Sequence, residues 1–228
     1  MTAPTYFAVD VETTRLAPLP GSLLSVGVVE LATGSTFYAR RAEKKARIAL
    51  AKVADEPDSS AGWWEVQTGT KAHSELFRRL PATADHVAVE QRQVAVLNFN
   101  PRALDWWIRQ WPEPRIFVAS PVSFDWGHLD VWFTKAGGPM PWLRTLDVRS
   151  WVCAKYGLPI DCSRDEWPDE VCHVPVIPHH ALSDAEALAK TARVLLGIPE
   201  PTKDVDLLTW QSRDCIFWTD SPFERGVE

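Results

Sequence analysis

Thr5-Tyr6-Phe7-Ala8-Val9-Asp10-Val11-Glu12-Thr13-Thr14 reads as a β-strand, because β-branched and aromatic residues dominate positions 5–12 and the run closes on two threonines. A turn with Pro18, Pro20 and Gly21 follows, residues 23–31 form a second apolar strand, and Thr33-Gly34 is a tight turn into a third strand over 36–39. These three strands make a meander that opens with a hairpin. Beyond it, helical patterns appear over residues 70–80 and 101–111, the latter with Leu104, Trp107, Ile108 and Trp111 at i, i+3, i+4, i+7. Residues 115–120 form a short apolar strand. A helix starts near Phe124, carries Leu129, Trp132 and Phe133 on its apolar face, and stops at Gly137-Gly138. Another runs from about 147 to 156 and is closed by Gly157 and Pro159. Residues 158–178 hold four prolines and read as a long loop, and a last helix covers about 182–196. Hairpin strands followed by helix–strand–helix predict an α/β fold, with a mixed central sheet flanked by helices. No internal repeat or boundary interrupts it, so one domain over 1–196 is expected, with 197–228 as a tail packed on it or extending from it.

The chain has 228 residues, of which 46% are hydrophobic, enough for one sizeable core. No stretch reaches the length of a membrane span, and the N-terminus lacks the basic start and apolar core of a signal peptide. The expected location is therefore a reducing cytoplasm. There Cys153, Cys162, Cys172 and Cys215 are free thiols rather than two disulfides. Cys162, Cys172 and His173 are conceivable zinc ligands, but paired C-x-x-C spacing is lacking. A net charge of −6 argues against a protein that coats nucleic acid by bulk electrostatics, though not against one that meets phosphates through bound cations. The 12 tryptophans either fill a core or offer stacking faces.

Asp10 and Glu12 are two apart in a strand, so their side chains leave the same face. Neighbouring carboxylates in an apolar setting repel each other, and a bound cation removes the conflict. In the alternative reading Glu12 lies just past the strand end, solvated. Asp184 heads the apolar stripe of Leu188, Ala192 and Leu196, and a carboxylate facing the sheet needs a partner. Alternatively, Ser183 is the N-cap, Glu186 completes a capping box, and Asp184 only complements the helix dipole. Asp125 lies in Val122-Ser123-Phe124-Asp125-Trp126, where a strand hands over to a helix. Sites in α/β sheets gather at such places, but acidic residues are also common at helix N-termini. His179 stands five residues before Asp184 at the end of the proline-rich loop, and an imidazole with an ordinary pKa of about 6.5 suits proton abstraction from water. Its neighbour His180 competes for that role, and spacing alone does not separate the two.

As a set, Asp-x-Glu on the first strand, Phe-Asp opening a middle helix and His-x-x-x-x-Asp opening the last resemble the DEDDh superfamily of 3′–5′ exonucleases, the ribonuclease-T-like type. Residues 58–72, with Trp63-Trp64-Glu65-Val66-Gln67, are similar to the Trp-Trp-x-x-Gln segment of a subgroup that includes ribonuclease AS and phage exonuclease A. Ser120-Pro121-Val122-Ser123-Phe124-Asp125-Trp126 and Arg144-Thr145-Leu146 are similar to further segments of it. The likeness spans about residues 5–196. The loop over 158–178 is longer than usual there, and the tail has no counterpart.

The resemblance implies a ribonuclease-H-like fold in which Asp10, Glu12, Asp125 and Asp184 bind two Mg²⁺ or Mn²⁺ ions and His179 deprotonates the attacking water. It implies hydrolysis of single-stranded RNA, with DNA the less favoured substrate, from a free 3′ end, and a homodimer. Backbone groups of Thr13 and Thr14, next to Glu12, are expected to meet the terminal nucleotide. Phe124 or Trp63 are candidates to stack on a base, worth about 1–3 kcal/mol per base. Trp63 and Trp64 read rather as core or dimer packing, and the basic cluster over 40–47 more as a solvated face than as a track for a strand backbone. Two other functions remain open: a DNA 3′-end proofreading or repair exonuclease, and a non-catalytic nucleic-acid-binding module on the same fold. The intact set of four acids and His179 speaks against the module.

Overall fold

The computed structural model describes residues 3–41, 99–142, 144–175 and 180–201. Within these, β1 (Thr5–Thr13) is the central strand. Phe7, Ala8 and Val9 are fully buried, so both of its faces are covered. β2 (Leu23–Glu30) pairs antiparallel with β1, and β3 (Thr36–Arg40) pairs antiparallel with β2. On the other side of β1, β4 (Arg115–Ala119) and then β5 (Arg144–Asp147) join in parallel, giving the order β3-β2-β1-β4-β5. This is the expected mixed sheet with its antiparallel meander, an α/β fold consistent with the ribonuclease-H-like architecture.

Four helices are described: α1 (Pro101–Ile108), α2 (Val122–Lys135), α3 (Val148–Tyr156) and α4 (Ala181–Leu196). Successive β1 side chains alternate between two cores. Ala8 packs with Val148 and Val152 of α3 and with the apolar stripe of α4. Phe7, Val9 and Val11 pack with Leu104, Trp107 and Ile108 of α1 and Leu129 and Phe133 of α2. Of the eight described tryptophans, five belong to this second core, where Trp107, Trp111 and Trp142 pack edge-to-face with the Phe7 ring at centroid distances of 6.0, 5.6 and 6.3 Å. Trp106 is exposed.

Several expectations are corrected in detail. α1 ends at Ile108, so Trp111 packs on Phe7 from the following turn rather than from the helix. Residues 144–147 form a strand that alternation in so short a segment does not reveal. The proline-rich loop contains a 3₁₀ turn, Arg164–Glu166, and sends Trp167 and Val171 into the core. The helix expected over 70–80, the C-terminal tail beyond residue 201 and Cys215 lie outside the described residues. No helix among the described residues is long and apolar enough to cross a membrane.

Candidate active site

Asp10 and Glu12 continue the face of β1 that carries Ala8, and Glu12 lies within the strand rather than beyond it. α4 covers that face. Asp184, in its first turn, comes down over the two strand acids, and carboxylate oxygens of Asp10, Glu12 and Asp184 all lie within 4.8 Å of one another. All three are half-buried, so the cluster stays open to solvent.

Asp125 arrives from the opposite layer. The pairing of β4 with β1 ends at Ala8↔Val118, and the chain leaves β4 to enter α2. Beyond that point the edge of β1 on the β4 side has no strand partner among the described residues. Buried Asp125 fills the gap, its Oδ1 accepting the Val11 N–H at 3.0 Å, between the two strand acids. It is not one of the three mutually close carboxylates, yet its charge acts on both Asp10 and Glu12.

The electrostatics follow from this crowding. Burial, then the charges of Asp125, Asp184 and Glu12, holds the Asp10 carboxyl well above the ordinary carboxylate range, and Arg164 pulls it back down. Burial, then Asp184 and Asp125, raises Glu12 in the same way. Burial, with the charges of Asp147 and Asp184, pushes Asp125 up to about 8 against the opposing Val11 N–H. Acids so placed cannot all ionise without a compensating positive charge. Their donors are all oxygen, which suits a hard divalent cation such as Mg²⁺ or Mn²⁺.

Sequence reasoning passed over Asp147 except as an approximate helix start. Its Oδ1 accepts the Ser150 N–H at 2.7 Å, capping α3, and its Oδ2 accepts the Val122 N–H at 2.6 Å, in the first turn of α2. One side chain thus ties together two helix starts, and its charge acts on Asp125. The available signal was an Asp immediately before a helix. Asp147→Ala is expected to cost about 2 kcal/mol, roughly 1 per lost cap. Thermal denaturation checks this: a fall of about 4–8 °C is expected, and an unchanged midpoint would show that solvent replaces both caps.

His180 is not a solvated surface residue. It is buried, stacks on Tyr38 at a centroid distance of 4.8 Å, and is the N-cap of α4, its Nδ1 accepting the Ser183 N–H at 3.4 Å. The helix therefore starts before Ser183, and the Ser183–Glu186 capping box is overturned. The backbone N–H of His180 in turn donates to Asp184 Oδ2 at 2.9 Å. His179 and Trp63 lie outside the described residues.

Thr13 and Thr14 are buried, and Thr14 donates its N–H to the Ser22 carbonyl at 2.8 Å. The turn after them is held to α2 by His128, whose ring nitrogens lie 3.0 Å from Ser22 Oγ and 3.3 Å from the Leu16 carbonyl. Phe124 is half-buried and packs against the His128 ring at 4.7 Å. The conceivable zinc ligands do not gather. Cys162 Sγ faces Cys153 Sγ at 3.4 Å and Cys172 Sγ donates to the Arg164 carbonyl. The three described cysteines are thiols.

No curated protein matches the chain. Residues 5–196 match the model of a family described as the 3′-5′ exoribonuclease Rv2179c-like domain. That span begins with the strand that bears Asp10 and Glu12 and ends with the helix that bears Asp184. With most of its length inside that match, the chain belongs to the Rv2179c-like 3′–5′ exoribonuclease family.

Proposed function

We propose that the chain trims single-stranded RNA from its 3′ end, releasing nucleoside 5′-monophosphates by a two-cation reaction of the DEDDh type. The observation that carries the reading is the convergence of Asp10, Glu12 and Asp184 within 4.8 Å, in a chain of an exoribonuclease family. Asp10, Glu12, Asp125 and Asp184 would hold Mg²⁺ or Mn²⁺. Bound there, such ions supply positive charge to the attacking and departing oxygens of the phosphodiester.

The protein's own groups do the rest. Rigid β1 fixes Asp10 and Glu12 on one face, and α4 brings Asp184 over them. Asp125 reaches the same strand through the Val11 N–H. His179, five residues before Asp184 in the chain, takes the proton of the attacking water. Thr13, Thr14, Phe124 and Trp63 are proposed to meet the terminal nucleotide.

The test is digestion of 5′-labelled single-stranded RNA and DNA of one sequence with Mn²⁺, wild type beside Asp10→Asn. A ladder that shortens from the 3′ end, faster on RNA and only with wild type, supports the reading. A faster DNA ladder would convert it to 3′-end repair or proofreading, and tight binding without any ladder to a non-catalytic module. The two histidines should also separate. His179→Ala is expected to lower the rate by roughly 10²–10⁴-fold, the range for a lost general base, and His180→Ala by only about tenfold, as for a residue that orients a ligand. Equal losses in single-turnover assays would remove His179 from the role of base.

A further inference from the structure

Gly27 is on β2, opposite Asp10 on one side and Tyr38 on the other. A Cβ at this position would overlap the Ala181 carbonyl and the Leu182 Cα, so the backbone of α4 rests on the backbone of β2. No other residue type permits this approach. The contact falls beside Asp10, three residues before Asp184 on the helix. Tyr38, the neighbour of Gly27 on β3, is buried and lays its ring on His180 with an interplanar angle of 27°. His180 caps the helix with its ring Nδ1, and its backbone N–H donates to Asp184 Oδ2. The three residues form a continuous support that runs from the sheet at Asp10 to the carboxylate of Asp184.

We propose that Gly27, Tyr38 and His180, none of which has a ligand atom in the acidic cluster, are positioning residues that set Asp184 against Asp10 and Glu12 and thereby determine cation affinity. The proposal rests on the reading of those acids as a cation site. A methyl group on Gly27 lifts the first turn of α4, and with it Asp184, away from the strand acids. Loss of the Tyr38 ring or of the His180 cap frees the same turn to rotate. The span of the carboxylates then widens even where the rest of the domain stays folded. A merely structural role would lower the melting temperature without touching cation affinity below it.

Mn²⁺ binding to the full chain without RNA, followed by electron paramagnetic resonance, separates the two, with melting curves taken in parallel. Gly27→Ala, Tyr38→Leu and His180→Ala are each expected to weaken Mn²⁺ binding at least about tenfold, the range for residues that orient metal ligands. Tyr38→Phe, which keeps the stacked ring, should stay within about twofold of wild type. In RNA assays at fixed Mn²⁺ the loss should fall on kcat and be recovered by raising Mn²⁺. Should Gly27→Ala not fold, His180→Ala and the Tyr38 pair decide. Wild-type Mn²⁺ affinity in folded His180→Ala and Tyr38→Leu would overturn the positioning role and leave the cation site standing. Failure of the wild type itself to bind Mn²⁺ would remove both.

Discussion

Asp10→Asn is expected to lower exoribonuclease activity by about 10³-fold and, in the same protein, to raise the melting temperature without divalent cations. The first effect follows from the proposed site: charge stabilisation by bound cations is worth several kcal/mol, and each 1.4 kcal/mol is about tenfold in rate. The second follows from the crowding of the acids. Burial first, and then the charges of Asp125, Asp184 and Glu12, work against the ionisation of Asp10. An amide of the same shape needs neither the buried charge nor the proton that the raised Asp10 carboxyl must take up on folding at neutral pH. A gain on the order of 1–2 kcal/mol is expected, as when a site strained for function is relaxed, or about 2–8 °C for a domain of this size. Opposite signs in the two measurements mark a functional cluster. An Asn variant that is both inactive and less stable would show that Asp10 contributes to folding instead.

The metal-free protein should lose stability as pH rises from about 6.5 to 8, and divalent cations should offset the loss. The Asp125 carboxyl is raised to about 8 in the folded chain, and in the unfolded chain it returns to about 3.9. Between those values the folded state holds the extra proton, so stability is fully present below the unfolded pKa and drains away as pH approaches the folded one. Asp10 and Glu12, also raised, add to the same slope. Each proton so held is worth about 1.4 kcal/mol per pH unit. Over this window that is about 2 kcal/mol, or a fall of about 4–8 °C. His128 and His173, lowered chiefly by burial, pull the other way at more acidic pH, which is why the window begins where an ordinary histidine is half neutral. A cation present at about 100 times its dissociation constant adds about 2.7 kcal/mol, more at pH 8 than at 6.5 because its ligands must first lose their protons. Melting curves in EDTA and in Mn²⁺ across this range test it. A flat or rising profile in EDTA would mean that the acids ionise freely and the cluster is not the strained one described.

The strands and helices that bear the acids were readable from residue type and period. β1 was plain from its aromatic and β-branched run, and α2 and α4 from apolar residues three and four apart. Asp10 and Glu12 had to share a face because strand side chains alternate, which is a property of the backbone alone. The capping box offered as the alternative for α4 fails because a serine followed three residues later by a glutamate is only a local signal, whereas His180 caps the helix with its ring stacked on Tyr38, far away in the chain. β5 was missed because four residues with half-exposed faces carry almost no alternation, and their strand state comes from pairing with β4.

Taken alone, the sequence determined on which local elements the acidic residues stand and that two of them share a strand face, since residue type and backbone period act over a few positions. Only tertiary structure decided that Asp184 comes within 4.8 Å of the strand acids, that Asp125 closes the open edge of β1 at Val11, and that Gly27 is the point where α4 meets the sheet. Those facts depend on pairing and packing between segments more than a hundred residues apart, where the same glycine or aspartate could otherwise have served an ordinary turn or cap.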